Sequence, residues 1–319
     1  MSQAWTRALE RGGGDHDQLK GLTPSEGMDD IFKTLRVDGM CFGAVLLSAM
    51  VLASGCSSGA ATPDAAAPDA GLPGKDAPGV TSDCNSEATF IDGPYRYVNN
   101  EWGSANASGS FEQCVLKREA AGGSEYGWTW SWPGKQSDVL AYPEAIYGWK
   151  PWSGGPSTDP RFPFRVADMR GLTLNFNVEL EATGFYDLAA EVWLVQDGEF
   201  SAANPGLITA EVMFWLDSSE LRPAGAVIAA PSIGGVEYEL FQAENFGDRG
   251  DGSGWTYLVF RRREAVHQGT LDVLPLLEYL AEQGWVASTD FVAGVEFGTE
   301  VSSGSGTLWN QELSVEARP

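Results

Sequence analysis

From about residue 94 to the C-terminus the chain runs in short stretches of alternating apolar and polar residues, broken by Gly, Pro, Asn and Asp. A period of two marks a strand with one buried face, and closely spaced breakers mark turns. The stretches 94–100, 126–132, 172–180, 185–194, 208–216, 235–242, 255–262, 290–298 and 306–315 are therefore predicted strands. Helical spacing occurs at one place, Leu271 to Gln283, where Leu274, Leu277 and Ala281 share a face and Gly284 supplies a stop. Many strands and one helix predict an all-β sandwich of two antiparallel sheets, one of them curved into a cleft.

Alternation also sorts side chains onto faces. In Glu211-Val212-Met213-Phe214-Trp215-Leu216 the set Val212, Phe214, Leu216 is wholly apolar and belongs in a core, so Glu211, Met213 and Trp215 point the other way. A carboxylate, a thioether and an indole in a row suit a face that grips a ligand. Leu188, Ala190, Val192 and Leu194 likewise read as core, which places Asp187, Glu191 and Trp193 opposite. Trp128, Trp130 and Trp132 share one side of their strand, with Thr129 and Ser131 on the other.

The first eighty residues carry no such pattern. Residues 1–27 are polar and glycine-rich, and they read as an extension outside the mature protein. Lys33 and Arg36 then precede an apolar run from Met40 to Ala53 and the small residues Ser54-Gly55-Cys56. This is the layout of a secretory signal, taken as 28–55 with Met28 as the start, and it is too short for a membrane span. Leu52-Ala53-Ser54-Gly55-Cys56 resembles a bacterial lipobox with its large apolar residue one place early, so Cys56 is the expected lipid anchor. An ordinary signal-peptide cut nearby is the alternative. Residues 56–83, rich in Ala, Pro, Asp and Gly, are the expected linker, which leaves 84–319 as the folded domain. With Cys41 in the signal and Cys56 carrying lipid, Cys84 and Cys114 remain to pair in an oxidising compartment.

Charge and chemistry narrow the partner. A formal net charge of −24 repels nucleic acid and anionic lipid headgroups, so contact with a membrane is expected only through the lipid. The 12 Trp, most of them after residue 100, suit the flat apolar faces of sugars in a neutral polymer. His16 and His267 lie far apart and no Cys/His cluster has ligand spacing, so neither a metal nor a cofactor is expected. The domain is expected to be monomeric.

The run Asn99-Asn100-Glu101-Trp102-Gly103, followed by Cys114, resembles a segment near the start of glycoside hydrolase family 12 enzymes. Trp128-Thr129-Trp130, Ala141-Tyr142-Pro143, Tyr186-Asp187-Leu188, the Glu211–Leu216 strand and Phe297-Gly298-Thr299-Glu300, then Gly304-Ser305-Gly306, follow in the family's order. The resemblance covers essentially all of 84–319. It implies a β-jelly roll with an open cleft that cuts internal β-1,4-glucosidic bonds of a β-glucan with retention of configuration. By motif, Glu211 is the nucleophile, Glu300 the general acid/base, and Asp187 the carboxylic partner beside the nucleophile. Asn100 and Trp102 contact glucose in the minus subsites, Met213 and Trp215 line the floor, and Trp128 and Trp130 also bind substrate. A core position is the alternative for Trp102 and Trp130.

Retention needs two carboxyl groups, one attacking the anomeric carbon and the other protonating the leaving oxygen. Glu296 shares Glu300's face by alternation and is its rival as acid/base; the motif alone separates them. The chain departs from the family at Val301-Ser302-Ser303, where an aromatic or bulky residue usually follows the acid/base, and at Glu144, where asparagine is common. The segment 145–165, with Trp149 and Trp152, is expected to reshape the cleft. Two other readings stand beside the glucanase: xyloglucan hydrolysis in the same fold, and a non-catalytic glucan-binding lipoprotein.

Overall fold

The computed structural model describes residues 71–134, 138–152, 155–198, 207–249 and 251–319. Its main strands are β1 (Val80–Asp83), β2 (Thr89–Asp92), β3 (Tyr95–Val98), β4 (Glu112–Ala120), β5 (Gly123–Trp132), β6 (Glu144–Gly148), β7 (Phe164–Arg165) and β8 (Gly171–Val195). They continue with β9 (Ile208–Ser219), β10 (Ala226–Ala229), β11 (Ser232–Ile233), β12 (Val236–Phe246), β13 (Trp255–Arg262), β14 (Gln268–Asp272), β15 (Phe291–Val292), β16 (Gly294–Gly298) and β17 (Val301–Arg318).

Two of the predicted strands, 172–180 and 185–194, are one: β8 is continuous and serves both layers of the sandwich. Its first half pairs with β14 and β17, and through β17 reaches β5, β4 and β1. Its second half pairs with β16 on one side, leading to β6, β3 and β2, and with β9 on the other, leading to β13, β12 and β10. The strand turns between layers at Gly184, φ +90°, which faces Gly304, φ +105°, on β17. A Cβ at Gly184 would lie 2.5 Å from the Ser303 carbonyl oxygen, so neither the angle nor the space admits a larger residue. Among the described residues pairing is antiparallel except between β9 and β13, which run parallel and depart from the expected all-antiparallel sheets.

The core lies between the layers. Leu172, Leu174, Phe176 and Val178 from the first half of β8 join Leu188, Ala190, Val192 and Leu194 from the second, with Val212, Phe214 and Leu216 of β9. The alternation read from the sequence holds for each of these strands. Here the jelly-roll expectation is met. The single α-helix among the described residues, α1, spans Leu274–Glu282, shorter than the predicted 271–283. Leu271 and Asp272 finish β14 instead, because Pro275 fixes the helix start at its first turn. Its buried residues are Leu276, Leu277 and Leu280, so only Leu277 of the predicted face is central.

The predicted linker ends earlier than composition suggests. Within residues 71–83, β1 pairs with β4, and Leu72 and Val80 pack on Cys114, Leu116 and Trp309. The Trp309 indole N–H donates to the Pro73 carbonyl at 2.8 Å. Cys84 and Cys114 form the expected disulfide, which closes 30 residues beside this contact. Residues 1–27, the signal 28–55, Cys56 and the linker up to 70 lie outside the described residues.

Candidate active site

The face of the second layer turned away from the main core carries the chemistry. On β9, Glu211, Met213 and Trp215 occupy it, as alternation requires. Parallel pairing sets Tyr257 of β13 beside Glu211 and Val259 beside Met213. Glu211 is 3 % exposed, and one of its oxygens accepts the indole N–H of Trp255 at 2.7 Å. Trp255 is in turn walled by Trp193 at 5.5 Å and Trp152 at 5.4 Å between ring centroids. It also lies against Gly247, φ +66°, where a Cβ would fall 1.9 Å from the indole ring. This aromatic box fixes the donor that aims Glu211.

Glu300 follows β16 and is half-buried, more open than Glu211. Its amide N–H lies 3.4 Å from a carboxylate oxygen of Asp187, and the two side chains share a hydrogen bond. The structure therefore seats Asp187 beside Glu300, which corrects the expectation that it adjoins the nucleophile. Asp187 is opposite Ser218 in the β8–β9 ladder, whereas Glu211 is opposite Trp193. The carboxyl next to Glu211 is Glu191, opposite Met213, and its Oε1 is buried without a hydrogen-bond partner. The Tyr186-Asp187-Leu188 motif could not reveal this, because the β8–β9 register is set by the hairpin and not by the motif.

Burial dominates the titration of these groups. It raises the Glu211 carboxyl well above the ordinary range, the charge of Glu300 raises it further, and the Trp255 N–H opposes both. Asp187 is raised by burial and then by Glu300; Glu191 by burial and then by Glu211. Glu300 is raised by burial and held back by its bond with Asp187. Several carboxyls of one face thus compete for a few charges, the condition under which one acid keeps its proton while a neighbour is ionised.

A polar line crosses the same face. The Asn100 side-chain amide donates to Glu144 at 2.9 Å, and Lys150 donates to Glu144 at 2.7 Å and to Glu296 at 2.6 Å. Glu296 stands opposite Glu191 on the adjacent strand. This ion pair engages Glu296 at 1 % exposure, which removes it as a rival to Glu300 for protonating a leaving group in solvent reach. Glu144 stands out in the sequence only as a departure from the family's asparagine, and Lys150 lies unremarked in the 145–165 segment expected to reshape the cleft, although β6 is buried along its whole length.

Two assignments are overturned by packing. Trp128 and Trp130 lie in the main core with Trp132, between the layers and not in the cleft. Trp128 is fully buried, its indole donating to Thr299 at 3.1 Å. Thr129 and Ser131 occupy the solvent side of β5, where Thr129 meets Thr307. Met213 and Trp215 are on the predicted face but are covered by Leu221, Phe241 and Tyr257, so they form the floor from beneath. Asn100 is buried at the end of the polar line, and Trp102, just after it, is half-buried.

A jelly roll with buried, mutually coupled carboxyls and tryptophans on one face is the arrangement of a glycoside hydrolase that works through two carboxyl groups. The family model described as "Glycosyl hydrolase family 12" matches residues 93–316. The chain belongs to that family. It is 27% identical over 231 residues to Endoglucanase S of Pectobacterium parmentieri, covering 72% of this chain and 84% of the relative. To a xyloglucan-specific endo-beta-1,4-glucanase A of Emericella nidulans it is 27% identical over 233 residues, covering 70% and 84%. The solved family 12 xyloglucanase from Bacillus licheniformis superposes with a TM-score of 0.67 at 30% identity, covering 75% of this chain and all of that one.

Proposed function

We propose that the protein is a retaining endo-β-1,4-glucanase in which Glu211 attacks the anomeric carbon and Glu300 first protonates the leaving oxygen, then activates water. The observation that carries this reading is Glu211 itself: a buried carboxyl held by the Trp255 indole at 2.7 Å and raised electrostatically by Glu300. Asp187 shares a hydrogen bond with Glu300 and tunes the acid/base; Glu191 tunes the nucleophile. Asn100 and Trp102 contact the sugar chain, over a floor shaped by Met213 and Trp215. No step in this chemistry calls for a metal or cofactor.

The test is hydrolysis of mixed-linkage β-glucan, xyloglucan and xylan by the domain 71–319, with the first-formed anomer followed by proton NMR. Release of the β-anomer first supports double displacement; release of the α-anomer first would refute the assigned roles. Xyloglucan is the second reading, favoured by the similarity to the Bacillus licheniformis xyloglucanase, and the ranking of rates decides between the two. We further propose that the domain acts as a monomer outside the cytoplasm of a bacterium, tethered through lipid on Cys56. The Met40–Ala53 apolar run and the following Ser54-Gly55-Cys56 support this. Mass spectrometry of the mature N-terminus tests it: a diacylglyceryl cysteine at 56 is expected, and an unmodified N-terminus elsewhere refutes it.

A further inference from the structure

Lys150 is a buried cation among carboxyls, and the mechanism above makes no use of it. Its ammonium group bridges Glu144 of β6 and Glu296 of β16 at 2.7 and 2.6 Å, and its side chain is 11% exposed. The groups around it are nearly all acidic. Glu191 of β8 faces it from beside Glu296, Glu211 of β9 lies beyond, and Glu87, before β2, feels its charge as well. The Tyr142 ring is 5.8 Å from the ammonium, and the Asn100 amide shares Glu144 with it. A buried bridge of this kind contributes little net stability, because stripping water from the three ions costs about as much as their attraction returns. Its effect is better sought in the field it sets on the carboxyls next to it.

We infer that Lys150 is a positioning residue for the nucleophile: with Glu144 and Glu296 it forms a fixed ionic triad that lets Glu211 and Glu191 share a single charge beside it. The inference rests on the proposed role of Glu211. Lys150 is bound to Glu144 and Glu296, and its influence travels through Glu296 and across the β16–β8 ladder to Glu191 and Glu211. Burial favours the neutral amine of Lys150, but Glu144, Glu296 and Glu191 outweigh it and hold the proton on, so the positive charge persists over the working pH range. Removing that charge makes each remaining carboxylate harder to ionise. Removing one negative partner while keeping Lys150 does the reverse.

The test is the pH dependence of kcat/KM on mixed-linkage β-glucan for four proteins: wild type, Lys150→Met, Glu144→Gln and the double variant. Far-ultraviolet circular dichroism checks each fold. In Lys150→Met the acidic limb moves up by about one unit, roughly a tenfold loss on the acid side that is recovered at higher pH. Glu144→Gln moves the limb the other way, and the double variant returns close to wild type. If Lys150→Met does not fold, the downward shift in Glu144→Gln still decides the matter. A limb that stays in place in Glu144→Gln, or a loss in Lys150→Met that is uniform across pH, overturns the inference. An inactive folded wild type would instead strike at the proposed hydrolase reading.

Discussion

Replacing Trp255 by Phe isolates the bond that aims the nucleophile. The substitution removes the N–H that meets Glu211 at 2.7 Å, while a six-membered ring still fills the space between Trp152, Trp193 and Phe246. A buried hydrogen bond to a charged group contributes about 1.5–3 kcal/mol. At 1.36 kcal/mol per unit, its loss raises the Glu211 carboxyl by about 1–2 pK units, in the direction opposite to the bond's present effect. Glu211 must be ionised to attack, so the acidic limb of kcat/KM moves up by the same about 1–2 units. Well below that limb the rate falls about 10–100-fold; well above it the variant approaches wild type. Initial rates of reducing-sugar release on a soluble β-glucan, followed from about pH 4 to about pH 9, read this directly. Trp255→Phe with an unmoved limb, or with the same loss at every pH, would refute the argument that the indole holds the carboxylate.

Other consequences follow from the same contacts. A domain beginning at Gly71 should be more stable than one beginning at Cys84 by about 2–4 kcal/mol in urea unfolding, because the latter keeps the disulfide but loses β1, Leu72 and the bond to Trp309. Cys84→Ser with Cys114→Ser opens a loop of 30 residues and should cost about 3–4 kcal/mol, seen as a melting temperature lower by roughly 7–15 °C. Glu191 has a raised carboxyl, so the folded state binds its proton more tightly than the unfolded chain does; the stability this gives is present at low pH and lost as pH rises. Glu191→Gln should therefore raise the melting temperature at pH 8 and change it little at pH 4, as measured by calorimetry at both.

How far the chain announces this structure depends on what each signal encodes. Alternation is a local property, and it placed Glu211, Met213 and Trp215 on one face and Val212, Phe214 and Leu216 on the other without error. It says nothing of which layer a strand joins, and so the substrate-binding expectation for Trp128 and Trp130 fails where β5 turns that face into the core, the alternative place for Trp130. Register is non-local too: Asp187 and Glu191 have the same parity on β8, and only the ladder with β9 shows that Glu191 is the neighbour of Glu211. Composition misled at the N-terminal edge, where a Pro- and Gly-rich stretch conceals Leu72, Val80 and the short strand β1. The Lys150 triad draws on β6, β16 and the turn after β6, so no single window of sequence contains it.

The central claim is that Glu211 and Glu300 divide the work of nucleophile and acid/base. The most direct test is Glu300→Ala given an aryl β-cellobioside whose leaving group needs no protonation, with and without azide. The variant should form the glycosyl-enzyme, stall, and release a β-glycosyl azide once azide is added, with mass spectrometry finding the trapped sugar on the peptide that carries Glu211. A trapped sugar on Glu191 or Glu296, or an azide product of inverted α-configuration, would contradict the account.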